Sequence, residues 1–306
     1  MSYQLKNNES FSEGIKRIVI EQIDTALDNL KPTVRNKDEA IRDARVCIKK
    51  IRAVLRLIRD SLGKTTYEEE DAQYRDAAQK LSKVRDSAAM IEITNKLVEH
   101  FSDQLAPHAF DSVRSLLRHS GKTQPQDRTK AMTAAARSLR ETRKRLQEWP
   151  HVGQRRSLSR GLRRVFKNGR AHFDTAYDQP GVKNFHEWRI QVKHLHYQTH
   201  VLRPIWQQMM KALEAELKTL AKYLSEDHDL ALLRDKVSEH LAKADDRTEI
   251  ETLVALIDQR RNELEISARV LGTRIYAEKP RAFAGRNLIY WRARQTETKE
   301  DPIVLG

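Results

Sequence analysis

Apolar residues along most of this chain recur three and four positions apart, the spacing of one face of an α-helix. The first series runs from Ile15 to Leu30 and stops before Pro32, and a second runs from about Lys37 to Ser61, with Gly63 placed to end it. The same periodicity predicts helices over 67–93, 95–119, 127–148, 154–178, 182–203, 205–226, 228–243, 247–272 and 283–294. No segment alternates convincingly between apolar and polar residues as a strand would, so the sequence predicts an all-α fold.

Three short segments in the first half of the chain resemble three segments in the second half, in the same order. Residues 14–18 resemble 161–165, residues 41–51 resemble 185–195, and residues 81–86 resemble 224–229, at offsets of 147, 144 and 143. Because the matches are collinear, we expect two homologous helical halves that are related by a pseudo-twofold axis.

Cationic residues form a row along the second predicted helix. They lie three or four positions apart, and they are Arg42, Arg45, Lys49, Arg52, Arg56 and Arg59, with Lys50 beside them. Like charges at this spacing destabilise an isolated helix by about 0.2–0.5 kcal/mol per pair, and no carboxylate occupies a row position to relieve the repulsion. An apolar seam keeps the same rhythm directly beside the row, through Ile41, Ala44, Ile48, Ile51, Leu55 and Ile58.

The second copy of the repeat carries a matching row and a matching seam. The row consists of His186, Arg189, Lys193, His196, His200 and Arg203, and the seam of Phe185, Trp188, Val192, Leu195, Thr199 and Leu202. A third row comprises Arg156, Arg160, Arg163, Lys167 and Arg170. A solvated basic face would explain one such row, but rows at matched positions of both halves favour a binding role. If the halves face each other, the rows would line a shared basic channel and contact successive phosphates of a polyanion.

Composition narrows the class of protein and of partner. The 306 residues carry 57 Lys and Arg against 43 Asp and Glu, a net charge of +14, and only 39% of them are apolar. Fourteen cations and two acids lie in 128–170. This balance indicates an anionic partner: nucleic acid, a phosphate polymer or an acidic membrane surface. The chain has no apolar run long enough to span a membrane and no signal peptide, and its single cysteine, Cys47, excludes an internal disulfide framework. We therefore expect a cytoplasmic protein without membrane insertion.

The histidines do not predict a metal site or a catalytic centre. His196 and His200 are four positions apart, but the HExxH pattern is absent and the neighbouring Arg and Lys residues would repel a cation. We interpret His186 and His196 as hydrogen-bond donors to phosphate that gain charge as the pH falls, and His194 as either a donor or an ordinary contact between helices. Asp86 and Asp229 would either orient a basic neighbour or cap a helix. Nucleotide-binding and nucleophile motifs are absent, so we predict no metal, no cofactor and no catalysis.

The duplicated segments resemble a known family. Residues 42–52 and 186–196 are similar to the paired H-x-x-R-x-x-x-[KR] helices of CHAD domains, the conserved histidine α-helical domains, and the resemblance extends over 11–295. It includes the Leu-Ser-x-x-[RH]-Asp segments and the closing residues 278–283. The resemblance implies two four-helix-bundle-like halves around a central basic cavity that binds inorganic polyphosphate, and recruitment to polyphosphate granules. Its central binders would be Arg42, Arg45, Lys49, Arg52, His186, Arg189, Lys193 and His196.

One residue departs from the family pattern. Arg42 stands where the first-half motif has histidine, which argues against a role that needs two histidines but suits phosphate binding. We expect one domain over 11–295, with halves at 11–122 and 153–295, a linker helix region at 123–152, and flexible ends at 1–10 and 296–306. Its predicted function is non-catalytic binding of polyphosphate through the three rows. The alternatives are a nucleic-acid-binding module, a phosphohydrolase or phosphotransferase that uses His186, and a protein scaffold that docks through acidic 245–265.

Overall fold

The fold is that of a computed structural model, which describes residues 3–82, 87–106, 108–119, 125–239 and 247–300. Within these ranges the chain is helical and contains no strand. The helices are α1 (Phe11–Asn29), α2 (Lys37–Leu62), α3 (Lys64–Ser82), α4 (Ser87–His100), α5 (Asp111–His119), α6 (Pro125–Arg145), α7 (Gln154–Arg156), α8 (Leu162–Asp178), α9 (Val182–Val201), α10 (Gln207–Ser238), α11 (Arg247–Ile275) and α12 (Pro280–Glu300). A π-helical turn, Ser157–Gly161, joins α7 to α8. The all-α prediction is confirmed.

Local sequence signals set the ends of the first two helices. Ser10 and Glu13 form a capping box at the start of α1, each side chain bonded to the backbone of the other residue. Asn36 caps α2 by accepting a hydrogen bond from the Glu39 amide. Gly63 follows α2 with a φ of 85°, a conformation that glycine adopts without strain. The helix predicted over 37–61 therefore ends at Leu62, directly before this glycine, as predicted.

Two groups of helices pack around one large core. In the first group α2 contacts α1 and α3, and α6 contacts both α3 and α1; in the second, α9 contacts α8 and α10, and α10 contacts α11. Contact between α2 and α9 joins the two groups, and α12 packs on α8. Both predicted seams are buried in this core along their full length, from Ile41 to Ile58 and from Phe185 to Leu202.

Two parts of the predicted organisation differ from the structure. Residues 123–152 were expected to form a linker, but α6 buries Ala135 and Leu139 in the core and is a full member of the first group. The segments 205–226 and 228–243 were expected to be separate helices, yet α10 is continuous from Gln207 to Ser238. It continues because no glycine or proline interrupts the chain between these residues.

The N-terminal segment before α1 is packed rather than flexible. Tyr3 and Leu5 are buried in the core, the Tyr3 hydroxyl donates to the carbonyl of Lys50 at 2.8 Å, and the Leu5 amide donates to the carbonyl of Val201. The expectation of a flexible end is therefore wrong for residues 3–10. At the other end α12 continues to Glu300, into the segment expected to be flexible, and 301–306 lie outside the described residues.

A second apolar cluster lies beside the large core. It joins α4 and α5 to the C-terminal part of α10 and to α11, through residues such as Phe101, Leu117, Leu233 and Leu253. Thus α4 and α5 extend the molecule along α10 instead of closing the first group of helices. None of the helices in the described part of the chain is both long and apolar enough to cross a membrane.

Candidate functional site

The two basic rows of the repeat meet where α2 and α9 contact each other. The buried Gln198 side chain on α9 donates from its Nε2 to the carbonyl of Ala53 on α2 at 2.8 Å. Because the seam of each helix faces the core, the row beside each seam lies at the edge of the shared interface. The two motif helices are therefore in direct contact.

Lys193 shows how closely the rows approach. Burial lowers its pKa first, and the positive charges of Arg189, Lys49 and Arg45 lower it further, so that it falls to about 7. Arg45 and Lys49 belong to α2, whereas Arg189 and Lys193 belong to α9. We call these four residues, Arg45, Lys49, Arg189 and Lys193, the central basic cluster. Its members come from both of the segments that resemble each other in the sequence.

Helix α10 borders the central basic cluster with polar and acidic groups. The Arg189 Nε donates to the Ser225 hydroxyl at 3.2 Å, and Asp229 acts against the other charges by raising the pKa of Lys193. Asp229 lies in the interior of α10, so a capping role for it is wrong and the orienting role is the one that fits. Its counterpart Asp86 lies outside the described residues.

A pair of histidines adjoins the cluster. The Nδ1 atoms of His186 and His228 are 3.3 Å apart and the ring centroids 4.3 Å apart. Burial, and next the charge of Arg189, lower the pKa of His186 below its ordinary value, so the ring is largely neutral at neutral pH. A neutral imidazole still donates one hydrogen bond, which keeps His186 suited to a phosphate oxygen.

A buried carboxyl pair lies behind this surface. Asp227 on α10 accepts from the Arg261 Nε at 2.8 Å, and Glu265 hydrogen-bonds to Asp227. Burial and then the charge of Asp227 raise the pKa of Glu265 to about 7, so the pair holds a proton near neutral pH. Arg189 also acts on Asp227, which connects the pair electrostatically to the central basic cluster.

The sequence model of the CHAD domain matches residues 17–272 of this chain. The chain belongs to the CHAD domain family. No curated protein matches the chain. The paired motif helices of this CHAD domain are α2 and α9, and the match covers both of them together with α10.

Two members of the first row in this CHAD domain are engaged in structural ion pairs. Arg52 binds the buried carboxylate of Asp71 on α3 through two nitrogens, at 2.9 and 3.2 Å, and Arg56 binds it at 3.1 Å. Burial would raise the pKa of Asp71, but these guanidinium groups outweigh it and lower the pKa to about 2. A carboxylate from another helix therefore relieves the repulsion between these two cations of the row. Arg52 and Arg56 bind Asp71 instead of facing the central basic cluster.

The histidines at the C-terminal part of α9 also differ from the sequence interpretation. His194 is buried, and burial together with the nearby Arg56 and Arg52 keeps its pKa well below the ordinary value, as for a contact between helices. Burial lowers the pKa of His196 to about 4, so His196 gains charge only well below neutral pH. The His200 Nδ1 contacts Glu214 at 2.7 Å, and Arg203 binds the same carboxylate.

The outer members of the rows lie away from the central basic cluster. Arg42 is exposed and lies 3.9 Å from Glu92 on α4, Lys50 lies over the ring of Tyr3, and Arg59 lies over the ring of Tyr67. The third row is exposed to solvent at Arg156, Arg160, Arg163 and Lys167. Its helix is held close to α2 by Gly161, since a Cβ there would lie 1.9 Å from the Leu57 carbonyl oxygen.

Sequence reasoning missed several polar residues of the site. Ser225 and His228 belong to the repeated Leu-Ser-x-x-[RH]-Asp segment, so the repeat itself was the signal that could have identified them. A cavity of about 540 Å³ opens between α4, α10 and α11, and its lining includes Ser225 and Asp229. Among the described residues no group of three or more His, Cys, Asp and Glu side chains is placed to hold a metal ion.

Proposed function

We propose that this CHAD domain binds inorganic polyphosphate without catalysis, through the central basic cluster and His186. The observation that carries the proposal is the convergence of cations from both copies of the repeat on Lys193, whose pKa is about 7. Buried like charges destabilise the protein on its own, and a chain of phosphates removes that cost by accepting charge-assisted hydrogen bonds from Arg and Lys.

The contacts between α2 and α9 support a pseudo-twofold arrangement around this site. Gln198 and Ala53, which share a hydrogen bond, are 145 positions apart, and Lys193 and Lys49 are 144 positions apart. The repeat in the sequence has an offset of 144 between the same two helices. Lys193 and Lys49 are corresponding residues, and Ala53 lies next to the counterpart of Gln198, as expected when a twofold axis runs between two helices. We propose that the halves surround a basic cavity on this axis.

The surroundings of the cluster favour an inorganic chain over nucleic acid. Of the large aromatic residues of α9, Phe185 and Trp188 are buried in the core, and Tyr197 is partly buried against it, so the helix presents no row of exposed rings on which bases could stack. Arg, Lys and a neutral histidine supply hydrogen-bond donors that phosphate oxygens accept, which is sufficient for an inorganic chain. By resemblance to other members of the family, we further propose a cytoplasmic location in association with polyphosphate granules.

A specific observation supports a second candidate, phosphoryl transfer through His186. The His186 Nδ1 lies 3.3 Å from that of His228, and the charges of Arg189 and Lys193, which act on His186, would neutralise a transferred phosphoryl group. Turnover of polyphosphate or nucleoside triphosphate with Mg²⁺ that is lost in His186→Ala would establish this activity. Binding without turnover would leave the non-catalytic proposal standing.

Titration with polyphosphates of graded length at two salt concentrations tests the proposed site. We expect Lys49→Ala/Lys193→Ala to weaken binding by about tenfold or more, since each lost charge-assisted hydrogen bond costs about 1.5–3 kcal/mol. The slope of log affinity against log salt should become shallower by about 1.4, at about 0.7 per contact. Lys64→Ala/Lys211→Ala, which removes two exposed lysines, is the control. Equal affinity of the two variants would contradict the site.

A further inference from the structure

A second cavity lies between Lys37, the first residue of α2, and the exposed face of α6, about 12 Å along α2 from Arg45 of the central basic cluster. Its volume is about 590 Å³, and its lining consists of Lys37, Gln126, Thr129, Lys130, Thr133, Ala134 and Arg137. A cavity of this size accommodates a small ligand. It shares no lining residue with the cavity beside Ser225 and Asp229.

The chemistry of the lining selects an anion. Three of the seven lining residues are cationic, three are neutral hydrogen-bonding residues, only Ala134 is apolar, and no carboxylate is among them. The Lys37 Nζ donates to the Thr129 hydroxyl at 3.0 Å, so the ammonium group is held at the cavity by a neutral partner. Such a lining offers charge-assisted donors and hydroxyl groups to a negatively charged ligand, with no carboxylate among the lining residues to repel it.

Three other cations of α6 form ion pairs with neighbouring helices. Arg128 lies 3.4 Å from Asp38, Arg143 binds Asp24 at 2.6 Å, and Arg145 binds Glu70 at 2.8 Å. These ion pairs fix α6 against α2, α1 and α3. Lys130 and Arg137, by contrast, are exposed side chains that line the cavity. Helix α6 thus carries one set of cations that form ion pairs with neighbouring helices and another set that lines the cavity.

The spacing of the lining residues matches an extended ligand. Thr129, Thr133 and Arg137 are four positions apart and Lys130 lies beside them, so they follow one face of α6 for two turns, a length of about 10–12 Å. The opposite face buries Met132, Ala135 and Leu139 in the core, which holds the face rigid. A rigid row of donors of this length fits a short chain of phosphates better than a single small anion.

We propose that the cavity between α2 and α6 is a separate binding site for a short oligophosphate, either free or as the end of a longer polyphosphate chain. Lys37, Lys130 and Arg137 supply the charge, and Thr129 and Thr133 supply hydroxyl groups. The site goes beyond the proposed central site and does not depend on it.

The experiment measures binding of tripolyphosphate by calorimetry to the full chain in the Lys49→Ala/Lys193→Ala background. Adding Lys130→Ala/Arg137→Ala should weaken this binding by about tenfold or more, because two charge-assisted donors are lost. The control adds Arg140→Ala/Lys144→Ala, which removes two exposed cations of the same helix that do not line the cavity. Its binding should stay within about twofold of the background. The exchange Lys130→Arg/Arg137→Lys, which keeps the charge, should restore binding.

Chemical protection gives an independent measurement. Tripolyphosphate should slow the acetylation of Lys37 and Lys130 relative to Lys144, read by mass spectrometry. Equal weakening by the cavity pair and the control pair, or absence of protection at Lys37, would overturn the proposal. If Lys130→Ala/Arg137→Ala loses binding of tripolyphosphate but keeps binding of long-chain polyphosphate, the cavity is a site for free oligophosphate. If this variant loses binding of both ligands, the cavity is a site for the end of a long chain. The proposal of the central site is tested separately. It would be contradicted if Lys49→Ala/Lys193→Ala bound long-chain polyphosphate as tightly as the unmodified protein does.

Discussion

Lys193 and Lys49 occupy the same position in the two copies of the repeat, 144 residues apart, and lie close enough that the charge of Lys49 lowers the pKa of Lys193. Burial is the largest cause and Arg189 the next, and the pKa reaches about 7. A lysine in this state is unfavourable for the free protein. An anion bound beside it would restore its charge, which makes Lys193 the residue most sensitive to a ligand.

Binding of polyphosphate should therefore take up protons. The bound phosphates favour charged Lys193, whereas at about pH 8 the free protein holds it mostly neutral, so we expect uptake of about one proton per site. Affinity should fall as the pH rises through about 7. Calorimetry in buffers of different ionisation enthalpy measures the uptake. The uptake should disappear in Lys193→Met, and its persistence there would assign the proton to another group.

Asp71 should be important for stability rather than for binding. Replacement by Asn leaves Arg52 and Arg56 without their carboxylate, and we expect a loss of about 2–3 kcal/mol in the free energy of unfolding. The control is Asp76→Asn, which breaks only an exposed pair with Lys80 on the same helix and should cost less than about 0.5 kcal/mol. Urea unfolding gives both values.

The same carboxylate predicts how stability responds to acid. The pKa of Asp71 in the folded protein, about 2, lies below its value in an unfolded chain. Its contribution is therefore present above about pH 4 and is lost as the pH falls towards 2. The Asp71→Asn variant should show a smaller loss of stability over this interval than the unmodified protein. An identical acid profile in both proteins would contradict the ion pairs.

Gly161 should tolerate no side chain. Its Cβ would lie 1.9 Å from the Leu57 carbonyl oxygen, so alanine there would force the π-helical turn away from α2, and we expect a loss of about 3 kcal/mol or more. Gly285 on α12 has no atom within 4 Å of the corresponding position. Gly285→Ala should therefore stabilise the protein by about 0.5–1 kcal/mol. Thermal unfolding that ranks the two variants in the reverse order would contradict the close approach of the helices.

The carboxyl pair of Asp227 and Glu265 should make stability decline with rising pH. The pKa of Glu265 in the folded protein, about 7, is raised, so the protonated form stabilises the protein at low pH and this contribution is lost as the pH rises from about 5 to about 8. Glu265→Gln should flatten the decline. Both proteins are measured in the Lys193→Met background, because Lys193 makes stability change with pH in the opposite direction. The matched control is Glu251→Gln, which replaces an exposed carboxylate of α11.

The sequence predicted the local structure well because helical periodicity and capping depend on near neighbours. Ser10, Asn36 and Gly63 mark helix ends by their own backbone and side-chain chemistry, and both apolar seams are buried as their spacing requires. The repeat also indicated which rows would approach each other. The sequence did not indicate that α6 belongs to the first group of helices, because its basic composition resembles that of a solvated connection.

By itself, then, the sequence determined the all-α class, the duplicated motif helices and the cationic side of each. Only the tertiary structure decided the partners of those cations. Arg52 and Arg56 are neutralised by Asp71 from α3, whereas Arg45 and Lys49 join Arg189 and Lys193 beside α10. The physical reason is that an ion pair or a pKa depends on distances of a few ångströms between helices, and spacing along one helix carries no information about such distances.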